Sequence, residues 1–206
     1  IAWGDIHLRL SEREVFSDRY PSHGMLQSMR DLRIECNQMF GKFVESEYKK
    51  WLNSSGGPIL SSNLLEKKVW PLLNKGKEVL FVVIDNLRLD QWLTIEPLLQ
   101  SDFLIDGGTY YSILPTATPF SRNSLFAGML PVQIQEEYPH YWESDASDES
   151  SMNKYEADLV RLNLEKDGID LAGGSRYFKI IDSEDADKLL QNKDSFLQPP
   201  FSSIVL

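Results

Sequence analysis

Apolar residues recur at helical spacing through the first quarter of the chain and gather into short unbroken runs after it. Met25, Met29, Leu32, Cys36, Met39 and Phe43 alternate spacings of four and three, and Phe40, Val44, Tyr48 and Trp51 widen the stripe. That period predicts one long amphipathic helix. Upstream, Ser11 with Glu14 three residues later has the form of a capping box. The turn formers from Asn53 to Pro58 end the helix and make the best linker. Residues 1–57 therefore read as an all-helical bundle domain. The stripe is expected to be the bundle's own core, with Cys36 as a small buried hydrophobe. Its heptad-like spacing also suits a helix pair or a dimer seam.

From Ile59 the pattern changes to alternating strands and helices. Asn63, with Glu66 three residues on, can cap a helix running to Trp70, which Pro71 should kink or end. Val79–Ile84 is a run of apolar residues with no polar alternation, which predicts a strand covered on both faces, as in a parallel sheet. Leu87–Leu99 is amphipathic, with Leu89, Trp92, Leu93 and Ile95 facing the sheet. A strand at Phe103–Ile105 or Tyr110–Leu114 follows, with Gly107 and Gly108 as its turn. A helix begins within Ser121–Ala127, and Gln133–Ser150 reads as a polar, aromatic loop. Met152–Lys166 is a helix with Tyr155, Leu159 and Leu162 on one face, ended by Gly168. Strands at Arg176–Ile181 and Phe201–Leu206 flank a short helix at Glu184–Gln191. The order predicts a doubly wound α/β sheet over residues 58–206.

Bulk properties narrow the function classes. A chain of 206 residues with 42% hydrophobic and 25% charged content can bury a core in one or two domains. The net charge of −10 argues against a protein that coats nucleic acid, which would carry a basic patch. A small phosphorylated substrate remains compatible where bound cations supply the positive field. The single cysteine cannot form an intramolecular disulfide and suits a reducing compartment. No apolar run approaches the ~20 residues that span a bilayer and no signal peptide is visible, so a cytoplasmic location is expected.

The chemistry concentrates at two strand ends. Asp85 stops the Val79–Ile84 run, and ligands in open α/β sheets sit at the carboxyl ends of strands. It is either a helix cap or a metal ligand or catalytic acid. The loop after Leu114 carries Thr116 and Thr118 before a helix start, so Asp85 and Thr118 are candidates to meet at one rim. Glycine-rich dinucleotide and P-loop patterns are absent after Asp85, and Leu87 replaces the second aspartate of a dehalogenase-type DxD motif. Arg122 could fork onto a phosphate or simply be solvated. Asn123 could contact a phosphate or cap the helix, and Ser121 and Ser124 read as caps. Six acids between Glu136 and Glu149 suit a solvated loop, or a lid carrying Tyr138, His140, Tyr141 and Trp142. His140 is a weaker metal candidate.

The stretches VVIDNLRLDQW (82–92) and PTATPFSRNSLFAG (115–128) resemble a PglZ domain, a branch of the alkaline phosphatase superfamily. Together with residues 3–25, they make nearly the whole chain similar to the PglZ-domain response regulators of Bacteroidetes. The resemblance implies a helical linker followed by the N-terminal portion of an alkaline-phosphatase-like domain. It implies Thr118 as nucleophile, Asn123 as a contact to a non-bridging phosphate oxygen, and Asp85 with Thr118 as part of one metal position, for Zn2+ or another divalent metal. Arg88 and Asp90 belong to the same signature, where the arginine either orients the site loop or pairs with the aspartate. Further Asp and His ligands are expected beyond Leu206, which would leave this chain catalytically incomplete. A receiver domain is expected before Ile1, with a sensor histidine kinase and a sigma factor as partners in type IX secretion and gliding.

Two functions compete on this reading. One is metal-dependent hydrolysis of a phosphomonoester or phosphodiester, including an oligonucleotide, through Thr118. The other is an inactive output module that docks a sigma factor or senses a nucleotide. A pure dimerisation scaffold built on Met25–Trp51 is the third and weaker alternative.

Overall fold

A computed structural model of the chain describes residues 3–20, 23–54, 56–142, 153–170, 175–196 and 202–205. Two compact units emerge. The first takes Ile1–Pro58 with Asn86–Thr109, and the second takes Ile59–Asp85 with Tyr110–Leu206.

In the first unit, α1 (Trp3–Arg19) lies along α2 (His23–Leu52). The Trp3 ring meets Phe40 and Phe43 at centroid distances of 5.5 and 5.9 Å. Ser11 does not cap a helix, because α1 begins at Trp3 and runs through it. Its buried hydroxyl instead accepts from Arg33 Nη2 at 3.3 Å, while the same guanidinium forks onto Glu14. The apolar stripe of α2 is only half used. Met29, Cys36 and Phe43 are partly buried, whereas Met25, Leu32 and Met39 are exposed. A 17-residue partner shields one side of a 30-residue helix and leaves the adjoining side to water. α3 (Leu89–Leu99) packs on α1, with Leu89, Trp92 and Leu93 partly buried and Ile95 exposed. Its apolar face is thus used within the first unit, on α1.

The second unit carries a three-stranded parallel sheet of order β1-β3-β2, from β1 (Leu80–Val82), β2 (Ser175–Phe178) and β3 (Ser202–Val205). Within β1 and its flanks, Val79, Phe81 and Val83 pack against the core while Leu80, Val82 and Ile84 are exposed. The strand is thus apolar on both sides but covered on one. The core joins Leu65, Val69 and Trp70 to Leu125, Phe126, Ile134, Leu159, Val160 and Leu164.

Three further differences have local causes. The segment before Pro71 is a π-helical turn, Leu65–Val69, running into Trp70–Leu73. Widening the turn lets the helix pass a residue that has no N–H to donate. Its start is a 3-10 turn at Ser61–Asn63, and Asn63 Oδ1 accepts from Leu60 N–H at 2.9 Å from inside the turn. Tyr110–Leu114 forms a single bridge, Tyr111 to Leu60, and no strand is assigned at Phe103–Ile105. Residues 133–142 are helical, in Pro131–Glu137 and the 3-10 turn Pro139–Tyr141, so the expected loop is largely structured there. Its remaining acids, from Glu143 to Glu149, lie outside the described residues.

Candidate active site

The helix Thr118–Ala127, labelled α4, follows Ala117 in extended conformation, and Pro119 in its first turn has the fixed φ a helix start needs. The Phe120 and Ser121 N–H groups both donate to Ala117 O at 3.0 Å. Ser121 Oγ donates back to Thr116 O at 3.0 Å and Ala117 O at 3.2 Å from inside the helix, so it is not the expected cap, which would accept from the free N–H groups. Ser124, buried, donates to the Met129 carbonyl. At the far end Gly128 adopts φ +64, and its N–H closes onto Ser124 O at 3.1 Å. A side chain from the helix Glu156–Lys166, labelled α5, completes that end: Asn163 Nδ2 donates to Phe126 O at 2.9 Å.

These anchors place Thr118 beside the end of β1. Thr118 Oγ1 donates to Asp85 Oδ2 at 3.2 Å, and Arg122 Nη1 donates to the same oxygen at 3.2 Å. The rim meeting expected from the sequence is therefore present, with Arg122 added to it. The Asp85 side chain is 42% exposed and that of Arg122 only 16%, so the acid faces solvent and the guanidinium lies beneath it.

Beneath Arg122 sits Glu156, with no exposed surface. Arg122 forks onto it through Nε and Nη2, the latter at 3.2 Å. Tyr177 Oη donates to Glu156 Oε2 at 2.9 Å, Lys179 Nζ lies 3.1 Å from the same oxygen, and Asn153 Nδ2 donates to Oε1 at 3.0 Å. Burial first, and then the Glu156 carboxylate, push the Tyr177 phenol well above its ordinary range. Asn153 Nδ2 also donates to Asn123 Oδ1 at 3.0 Å, and Asn123 is buried. The amide expected to meet a phosphate is thus set into this network, with its oxygen already engaged. Residues 64–195 match the family described as the BREX system PglZ alkaline phosphatase-like domain.

The chain belongs to the PglZ family. The match spans well over half of the chain and includes Asp85, Thr118, Arg122, Asn123 and Glu156. No curated protein matches it. The PglZ signature residues Arg88 and Asp90 pair with each other, Nε to Oδ1 at 2.9 Å and Nη2 to Oδ2 at 2.8 Å. The His140 ring lies tilted against Tyr141, with 3.9 Å between ring centroids.

Divalent metals are common in the alkaline phosphatase superfamily to which PglZ is related. Among the described residues no three His, Cys, Asp or Glu side chains converge on one point. Asp85 and Thr118 offer two oxygens, and a tight zinc site takes three or four protein groups. The oxygen they share is also occupied by the Arg122 guanidinium. These residues by themselves do not fit a resident zinc ion.

Glu156, Asn153, Tyr177 and Lys179 escaped the sequence reading. The available signal was periodicity. Glu156, Leu159, Val160, Asn163 and Leu164 form one helical stripe, and all five are buried. An acid in line with that stripe is placed inward, whereas Tyr155 and Leu162, expected to share a face with Leu159, are only partly buried.

Proposed function

We propose that the chain is a phosphoester-hydrolysing module in which Thr118 is the nucleophile. The observation that carries this is the shared oxygen. A hydroxyl at a helix start donates to a carboxylate that a guanidinium also holds, the arrangement by which a nucleophile, its base and an orienting group act together. Thr118 Oγ attacks phosphorus as its proton passes to Asp85, the P–O bond to the leaving group breaks, and the departing alkoxide takes a proton from water. The hydroxide so formed hydrolyses the phosphothreonine, and Asp85 returns its proton to Thr118 Oγ. Arg122 faces the non-bridging oxygens, and the N-terminus of α4 favours their negative charge. The substrate class, a phosphomonoester, a phosphodiester or an oligonucleotide, belongs to this proposal.

Zinc is part of the proposal only as a shared ion. Asp85 and Thr118 would contribute two oxygens to it, with the other donors drawn from outside the described residues. The doubly wound sheet is likewise proposed for the whole domain, and the uncovered apolar side of β1 at Leu80, Val82 and Ile84 supports it.

The biological setting follows the resemblance to regulators of the PorX kind. There the module is the cytoplasmic output of a receiver domain and a sensor histidine kinase, acting with a sigma factor on type IX secretion genes. The exposed Met25, Leu32 and Met39, seven residues apart, support self-association in that role. The deciding experiment compares the chain with Thr118→Ala on bis(p-nitrophenyl) phosphate and p-nitrophenyl phosphate. Hydrolysis lost by about 10³-fold or more with an unchanged melting temperature is the expected result. Equal rates would remove Thr118 as the nucleophile, and no hydrolysis by either protein would leave the inactive binding module as the function.

A further inference from the structure

We infer that Glu156 is a positioning residue that sets Arg122, and through Asn153 also Asn123, around the phosphoryl group that Thr118 attacks. The inference rests on the phosphohydrolase reading above. Its geometric basis is a continuous chain of contacts inside the second unit. Glu156 takes two nitrogens of Arg122, leaving Nη1 to reach Asp85 Oδ2 at 3.2 Å, where Thr118 Oγ1 also arrives. On its other side it takes Asn153 Nδ2 at 3.0 Å, and that same nitrogen donates to Asn123 Oδ1 at 3.0 Å. Asp85, after β1, and the neighbours Arg122 and Asn123, on α4, thus share one buried anchor.

The polar detail argues for orientation as well as packing. A guanidinium bound through two nitrogens of one edge to both oxygens of a carboxylate has one rotational setting, which a single point charge would not impose. Tyr177 at 2.9 Å and Lys179 at 3.1 Å fix the carboxylate itself, so the fork cannot turn without breaking contacts at both ends. Tyr177 is carried by β2 and Glu156 by α5, elements that reach the site from opposite ends of the residue 156–178 segment. Glu156 touches no reacting atom. Its effect on chemistry passes through Arg122 and Asn153.

The test uses the full chain labelled with 15N-arginine. Wild type, Glu156→Gln and Tyr177→Phe are compared by the exchange rate of the Arg122 Nε–H and by hydrolysis of bis(p-nitrophenyl) phosphate across pH. In Glu156→Gln the Nε–H should lose its protection, and kcat should fall by about 10²-fold with a smaller change in KM, as for a misplaced group. Tyr177→Phe, which removes one of the contacts that fix the carboxylate, should show a smaller loss of the same sign in both. A protected Nε–H or an unchanged kcat in folded Glu156→Gln would overturn the inference. If that variant does not fold, Arg122→Ala decides, with guanidinium chloride added. Recovery of about tenfold supports an anchored guanidinium site, and no recovery rejects it. If wild type hydrolyses neither ester, the phosphohydrolase reading fails by itself, and the Nε–H comparison alone decides whether Glu156 holds Arg122.

Discussion

A carboxylate closed off from water needs its charge answered from several sides, and Glu156 receives Arg122, Asn153, Tyr177 and Lys179. Removing one member of such a buried pair leaves the others charged and dry, at a cost of about 3–5 kcal/mol. Glu156→Ala is expected to lower the urea midpoint accordingly, while an exposed acid such as Glu184→Ala should change it by less than about 0.5 kcal/mol. Tyr177 adds a pH dependence of known sign. Its phenol is raised by burial and by Glu156, so the folded protein keeps the proton after the unfolded chain has released it. The stabilisation is complete below about pH 10 and is lost as pH rises from there. Tyr177→Phe should flatten that alkaline decline in a series of melting temperatures. At this scale the sequence indicated Asp85 because it follows a strand, Thr118 because it opens a helix, and Arg122 because it lies one turn further along that helix. Glu156 was hidden because a glutamate in a polar stretch carries no mark of burial except its place in the apolar stripe.

Helices and strands show where periodicity succeeds and where it misleads. α4 and α5 were expected, and their packing depends on contacts no pattern reveals. Gly128 is the clearest, since a Cβ there would lie 2.6–2.9 Å from the Asn163 amide, on a backbone with φ +64. Gly128→Ala should therefore destabilise by more than the ~1 kcal/mol of the backbone conformation alone, seen as a fall of several degrees in melting temperature. In α1 and α2 the stripe located the helices but not their extent of cover. The polar cluster between them sets a second pH dependence. His7 is held below its ordinary range, first by burial and then by Arg33, whose Nη1 is 3.1 Å away. A histidine kept neutral by folding contributes stability above about pH 6.5 and loses it as pH falls through its own lowered value. Acidification from pH 7 to 5 should weaken the helical signal of the wild type more than that of His7→Gln. The short β1 marks the opposite failure. An unalternating apolar run does not say which of its faces is covered.

On the scale of the molecule, the parallel sheet and the helical first segment agree with the α/β reading, and the family match spans the second part of it. What the pattern did not reveal is that Asn86–Thr109 groups with the first helices. Linear order is a poor guide when a segment leaves one compact unit and the chain returns to it later. The metal question also belongs here. With two oxygens and a guanidinium at Asp85, the purified chain is expected to retain well under one equivalent of zinc after dialysis, measured by mass spectrometry. A full equivalent would mean that donors outside the described residues complete the position.

The strand order has a consequence for how the protein is made. The middle strand of the sheet is the last one in sequence, with Leu80 pairing to Ser203 and Ser175 to Ser202. Among the described residues β1 and β2 pair only with β3, so their ladders wait for residues 202–205, and contacts of such long sequence separation form slowly. The Asp85 end of β1 is then among the last places to become ordered. During refolding, helical circular dichroism should recover early, and any turnover by Thr118 should lag behind it.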